Sequence, residues 1–234
     1  MTRDRLNRNG YKVLAGYFAS PVLHGAIIFG CAGRMDLPWI WVYLVVSFIG
    51  MFGGIVPLCI RNPVLINHRG DFRRKKDTMP WDRWLVPTYG ILSCYLTPAV
   101  IGLDVGRYGW SDLGPVTAIL GIAGFLAGSA LLTWAMLTNT HFETTVRIQT
   151  DRNHKVVTTG PYRFVRHPGY VGAILWNITT PMMARSAAAL VPAVAAIAVL
   201  VCRTSLEDRT LRCELPGYAV YADRTRYRLL PGIW

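Results

Sequence analysis

Between Gly160 and Gly172 the chain reads GPYRFVRHPGYVG, with two tyrosines, two arginines, a histidine and two prolines set between long apolar segments. Thr159-Gly160-Pro161-Tyr162 is a turn signal, and Pro168-Gly169 suits the first turn of a helix. A helix starting there exposes unpaired backbone N–H groups and a partial positive charge. His167 and Arg166 would sit at that end, where a polar or anionic ligand could be held. Each residue alone has a plainer reading. Arg163 and Arg166 could serve only to orient a membrane chain, His154 and His167 could lie at a surface, and Tyr162 and Tyr170 could be interfacial anchors. Their density in so short a run favours a ligand site.

A second group follows at the end of the last apolar run. Arg203 and Glu207 are four residues apart, hence on one helix face, with Asp208 and Glu214 beyond them. As an exposed pair, Arg203 and Glu207 would contribute only about 0.3–0.5 kcal/mol. Arg203, however, directly follows the apolar stretch AAIAVLVC. Ionisable groups at the edge of a membrane span are costly and often functional.

The elements that must position these groups are membrane helices. The 234 residues are 52% hydrophobic and 16% charged, with a mean hydropathy of +0.30; soluble domains carry about 25% charged residues. Six stretches are nearly free of charge: Val13–Ala32, Leu37–Ile60, Leu85–Leu103, Leu113–Thr140, Gly169–Ala184 and Ser186–Cys202. A helical crossing takes about 20 apolar residues, so the first four qualify outright. The last two, split by Arg185, read either as two short spans or as a hairpin turning near the far surface. Backbone groups cannot stay unpaired in lipid, so the expected fold class is all-α, a multi-span helical bundle forming a single membrane domain. Residues 1–140 would supply the N-terminal spans and a polar loop at 61–83; residues 141–234 would carry the site. Val13–Ala32 reads as a retained first span rather than a signal peptide.

The net charge of +12 has two candidate causes, nucleic acid or membrane topology. With the N-terminus inside and six spans, 22 of the 25 Lys and Arg fall on the inner side; only Arg34, Arg107 and Arg185 fall outside. The positive-inside rule explains that split, and no nucleic-acid partner is needed. Both termini and the site are then expected in the cytoplasm. The loop Arg61–Arg83 contains Arg73, Arg74, Lys75 and Lys76, which read either as a topogenic, headgroup-touching cluster or as part of a flap over a site. Asn62-Pro63 should end the second helix. In the tail, Pro216-Gly217 should interrupt a helix, and Tyr218, Tyr221, Tyr227 and Trp234 should lie along the inner surface. The five cysteines show no paired spacing and read as small buried hydrophobes; no metal site is expected. His24 is the only histidine well inside a span.

The pattern His154-Lys155-Val156-Val157, then Gly160-Pro161-Tyr162, then Arg166-His167-Pro168-Gly169-Tyr170-Val171-Gly172 resembles the isoprenylcysteine carboxyl methyltransferase family and its phospholipid methyltransferase relatives. Arg203, Glu207 and the acidic Asp208 match that family's pattern of an arginine, three intervening residues and then two acids. The resemblance covers about Phe142–Tyr221, more weakly Asn62–Trp84. It implies an integral membrane enzyme that takes a methyl group from S-adenosylmethionine. By resemblance the cofactor is held by Gln149, His154, Lys155, Val156, Val157, Gly160, Tyr162, His167, Pro168, Gly169, Tyr170 and Glu207. Arg203 and Glu207 would be catalytic, with Arg203 and Asp208 toward the substrate. The sequence departs from the family in having Asp208 where a second glutamate is usual.

The implied substrate is a lipophilic small molecule similar to a prenylcysteine, methylated on its carboxylate oxygen, with membrane lipids as neighbours. N-methylation of a phospholipid amine and S-methylation of a thiol are the alternatives within enzymes; a transporter or lipid-binding protein is the alternative outside them. A carboxylate acceptor needs no general base, and Arg203 could orient it through paired hydrogen bonds. An amine must first lose a proton, for which Glu207 or Asp208 would be the acceptor.

Overall fold

Asn7 starts the first helix by accepting from the N–H groups of Asn9 and Gly10 at 2.8 and 3.2 Å, as an N-cap should. The computed structural model describes residues 5–71, 75 and 77–234; Arg3, Arg73, Arg74 and Lys76 of the charge argument lie outside them. Helix α1 (Arg8–Ala32) ends on Gly33, which donates to the Phe29 carbonyl. Helix α2 (Pro38–Arg61) stops at Asn62, and Pro63 opens the short α3 (Pro63–Gly70). The expected break at Asn62-Pro63 is therefore observed. Asn62 accepts from the Leu65 N–H and donates to the Met136 carbonyl.

Helix α4 (Asp82–Tyr108) is continuous but irregular. It contains Pro87 and Pro98, and two π-helical stretches, Leu92–Leu96 and Gly102–Tyr108. Each proline removes an N–H, and the widened turns find other donors. Both the N–H and the hydroxyl of Thr97 reach back five residues to the Leu92 carbonyl. Helix α5 (Gly114–Thr138) is regular.

Helix α6 (Pro168–Met183) has 16 residues, about 24 Å at the helical rise and short of a full bilayer core. Helix α7 (Leu190–Glu214) has 25. They pack together as a hairpin, turned by Arg185 in a left-handed conformation (φ 62°). Helix α7 runs three turns past the apolar stretch, so Arg203, Glu207 and Asp208 are all helical. Pro216-Gly217 then breaks the chain before α8 (Tyr218–Arg224). Among the described residues, α1, α2, α4, α5 and α7 are long and apolar enough to cross a membrane. The structure is all-helical, and with α6 the segments number six as expected.

Helices α5 and α6 form the tightest pair, because small residues face each other. A methyl group at Gly172 would lie 2.8 Å from the Gly128 carbonyl oxygen, so only glycine permits this approach. This contact fixes the start of α6 against the middle of α5. At one end of the bundle α3, the 139–167 segment and the tail meet: Arg69 donates to the Phe142 carbonyl, Lys75 to Glu143, and the Arg166 N–H to the Tyr227 carbonyl. At the other end Arg185 pairs with Asp112 and lies over the Trp39 ring. The cysteines are free; Cys31, Cys59 and Cys94 are half-buried, but Cys202 and Cys213 are exposed on α7 rather than buried as expected.

Candidate active site

The segment between α5 and α6 has little regular structure, so charge pairs hold it. Glu143 is enclosed by Lys75 at 3.0 Å, Arg147 at 2.9 Å and Arg152 at 3.3 Å. Burial opposes its ionisation, but hydrogen bonds from Arg147 and Lys75 outweigh that and hold its carboxyl below the usual range. Arg147 also pairs with Asp77 and Asp151. The described part of the 61–83 loop therefore braces this segment: the Met79 N–H donates to the Val146 carbonyl, and Thr78 to Thr145.

Beneath the segment lies an open pocket of about 800 Å³, mouth included. It is lined from the loop by His141, Phe142, Gln149, His154, Lys155, Val156, Val157 and Tyr162. From α6 and the residues just before it come Arg166, His167 and Tyr170; α7 adds Arg203, Glu207 and Leu211, and the tail adds Leu215, Tyr218 and Tyr221. Ten of the fourteen residues expected at a site thus share one pocket. The other four are Gly160, Pro168, Gly169 and Asp208. Gly160 turns the chain in a left-handed conformation (φ 58°). Pro168 is buried in the first turn of α6. A methyl on Gly169 would lie 2.3 Å from the Phe142 ring, so its lack of a side chain gives that ring its place in the lining.

Asp208 corrects an expectation. It is fully buried, and its carboxylate takes Arg166 Nε at 2.7 Å and Nη2 at 3.0 Å. The Tyr218 hydroxyl at 2.9 Å, His167 Nε2 at 3.2 Å, Arg228 Nε at 2.9 Å and Arg212 Nε at 3.3 Å complete the shell. Six donor contacts leave nothing for a substrate or a proton. Arg166, for which a purely topogenic role was open, is 4% exposed. Its Nη1 donates to the carbonyls of Thr225 and Arg226, which straps the tail to the start of α6. His167 and Tyr162 are likewise buried rather than superficial, and the Tyr162 hydroxyl accepts from Asn139 Nδ2 at 3.2 Å. Burial pushes the Tyr162 hydroxyl pKa upward. Tyr218 and Tyr221, expected along the surface, are buried and line the pocket; Tyr227 is exposed.

Arg203 and Glu207 do not pair with each other. Arg203 Nε and Nη2 grip Asp82 at 2.6 and 3.1 Å, and Nη2 also donates to the Thr144 carbonyl at 2.8 Å. Glu207 instead accepts from the Tyr170 hydroxyl at 2.5 Å. The Tyr170 ring bridges the two, with the Arg203 guanidinium 5.4 Å from its centroid. The expected paired grip of Arg203 on a substrate is corrected accordingly, since its fork is already occupied. Gln149 is also committed: its amide donates to the His141 carbonyl at 2.7 Å and accepts from Arg152 at 2.8 Å.

Sequence reasoning passed over Asp82, Asn139, Tyr218 and Tyr221. Asp82 left one usable signal, an acid at the junction of a basic loop and an apolar run. The tyrosines left none, since interfacial and buried tyrosines look alike in a sequence.

Residues 119–213 match the family model of the isoprenylcysteine carboxyl methyltransferase (ICMT) family. Protein-S-isoprenylcysteine O-methyltransferase A of Arabidopsis thaliana is 31% identical over 90 residues, 38% of this chain and 43% of that protein. The Homo sapiens protein-S-isoprenylcysteine O-methyltransferase is 34% identical over 77 residues, 32% of this chain and 27% of that protein. The cobalt-zinc-cadmium resistance protein CzcN of Cupriavidus metallidurans is 30% identical over 141 residues, 58% of this chain and 60% of that protein. The chain thus spans less than half the length of these plant and animal relatives. The matched residues run from α5 through the pocket segment and α6 nearly to the end of α7, and across that region the chain is similar to the isoprenylcysteine carboxyl methyltransferase family.

Proposed function

We propose that the chain is a membrane methyltransferase that uses S-adenosylmethionine to methylate a lipophilic acceptor, with a carboxylate oxygen as the target. The observation that carries this reading is the convergence of Arg203, Glu207 and Tyr170 with the 154–157 segment in one pocket at the ends of the spans. The lining fits the donor. Lys155 and Glu207 supply opposite charges for an amino-acid moiety, and Val156, Val157, Leu211 and Leu215 supply apolar walls for a nucleoside. Held by Lys155, Glu207 and these apolar walls, the donor would supply a sulfonium methyl group for transfer to an acceptor oxygen.

The chain's own task is to position and to exclude water. Tyr170 orients the Glu207 carboxylate, and Asp82 orients Arg203. A carboxylate acceptor is ionised at neutral pH, so no group need take a proton from it. The whole chain reads as one membrane domain, with residues 141–234 carrying the reaction. The charge split supports a cytoplasmic pocket and cytoplasmic termini. There a polar donor arrives from water and a prenylated acceptor arrives from lipid. The relatives named as protein-S-isoprenylcysteine O-methyltransferases supply the acceptor class.

The test is methyl transfer from labelled donor to farnesylcysteine analogues, aminophospholipids and small thiols. Label on the first alone is expected. Transfer only to an amine or a thiol would reassign the acceptor, and no transfer to any would reject the activity.

A further inference from the structure

We propose that Asp82 is a positioning residue that turns Arg203 into a single-edged donor, so that an acceptor carboxylate is held by one oxygen and attacks with the other. The inference rests on the methyltransferase reading above. Asp82 opens α4 and is fully buried. A buried carboxylate is tolerated only when paired and hydrogen-bonded. Here Oδ1 takes Arg203 Nε at 2.6 Å, and Oδ2 takes Nη2 at 3.1 Å and the Val146 N–H at 2.7 Å.

A guanidinium carries five N–H donors. Asp82 and the Thr144 carbonyl use Nε and both hydrogens of Nη2. Among the described residues only the Nη1 hydrogens remain, on a side chain that lines the pocket. The Tyr170 ring flanks the guanidinium plane, so rotation would cost that contact and leave the buried Asp82 without its cation. A free arginine fork binds both carboxylate oxygens side by side, which ties down the nucleophile. One edge binds one oxygen and leaves its twin unencumbered.

The variant Asp82→Asn keeps an oxygen for the Val146 N–H and removes the charge that holds the fork. Released, Arg203 is expected to grip the acceptor with both arms. The kcat should then fall at least fivefold, with acceptor KM unchanged or lower, and S-adenosylhomocysteine should bind within threefold of the parent. A smaller fall in kcat overturns the proposal. So does a fall accompanied by raised KM or by weaker S-adenosylhomocysteine binding, since that marks simple damage to the pocket segment.

If the parent protein methylates no acceptor, the activity reading fails and a second readout decides the positioning claim. Labelling of Arg203 by phenylglyoxal, mapped by mass spectrometry, should be at least threefold faster in Asp82→Asn; any smaller change overturns it. Should that variant not fold, Asp82→Ser, which also removes the charge and keeps an oxygen on the side chain, is read by the same criteria.

Discussion

Glu207 and Asp208 are consecutive on α7, yet their carboxylates enter opposite surroundings. One step along a helix rotates a side chain by roughly 100°. That step carries Glu207 into the pocket beside Tyr170 and Asp208 into a closed shell of Arg166, His167, Tyr218, Arg212 and Arg228. The acidic pair therefore divides: Glu207 faces the pocket, and Asp208 ties α6, α7 and the tail together.

Asp208→Ala should accordingly be a stability variant. It strands the buried Arg166 guanidinium, and breaking such a pair costs about 3–5 kcal/mol. A drop in the melting temperature of the detergent-solubilised protein is expected, together with earlier protease cleavage in the 225–234 tail. A melting temperature equal to the parent's would contradict the shell as the tail's anchor.

Glu207→Gln should behave in the opposite way. The amide fits the same space and can still accept from Tyr170, so the melting temperature should move little. Methyl transfer should fall on the order of 100-fold, the size expected when a preorganised charge is removed from a site. Tyr170→Phe leaves the Glu207 charge but unfixes it. Loss of a hydrogen bond to a charged group costs about 1.5–3 kcal/mol, so the rate should fall roughly 10- to 100-fold. Full activity in Tyr170→Phe would show that the carboxylate needs no orientation.

The helices were legible because apolar length alone demands them in lipid. The break at Asn62-Pro63 followed from local chemistry and was anticipated, and the hairpin turned at Arg185 was one of the two readings left open there. The pocket residues of the 154–170 run were legible through their density. What stayed hidden was pairing across long chain separations. Arg203 and Asp82 are 121 residues apart, and no local rule links them. Arg203 and Glu207 have the spacing of a helical ion pair, but each found a partner on another element. Tyr218 was read as interfacial because nothing nearby in sequence announced Asp208 as its acceptor.

That long-range pairing gives a non-additive prediction. Arg203→Ala alone leaves Asp82 buried without its cation and should destabilise the protein by about 3–5 kcal/mol. The double variant Arg203→Ala/Asp82→Leu removes both charges and should melt above the Arg203→Ala single variant. Denaturation of all members of the cycle in one detergent reads the coupling. Additive losses would mean that the two side chains do not share their energy.

His154 makes the pocket segment sensitive to acid. Its Nδ1 accepts from the Gln149 N–H at 3.4 Å, which requires that nitrogen to be unprotonated. Burial pushes its pKa down to about 4, helped by the neighbouring His141, Arg147 and Arg152 and opposed by Glu143. The His141 ring lies 4.6 Å away and is also pushed down, by burial first. An unfolded histidine titrates near 6.5. Above that pH neither state binds the proton, and the segment keeps its full stability. Between about 6.5 and 4 the unfolded state is protonated while the folded state is not, so stability falls as the pH falls. Melting temperature and S-adenosylhomocysteine affinity should both decline across that window. His154→Gln, which retains an acceptor but does not titrate, should flatten the part of the decline that His154 contributes. An unchanged pH profile in that variant would assign the acid sensitivity to other groups.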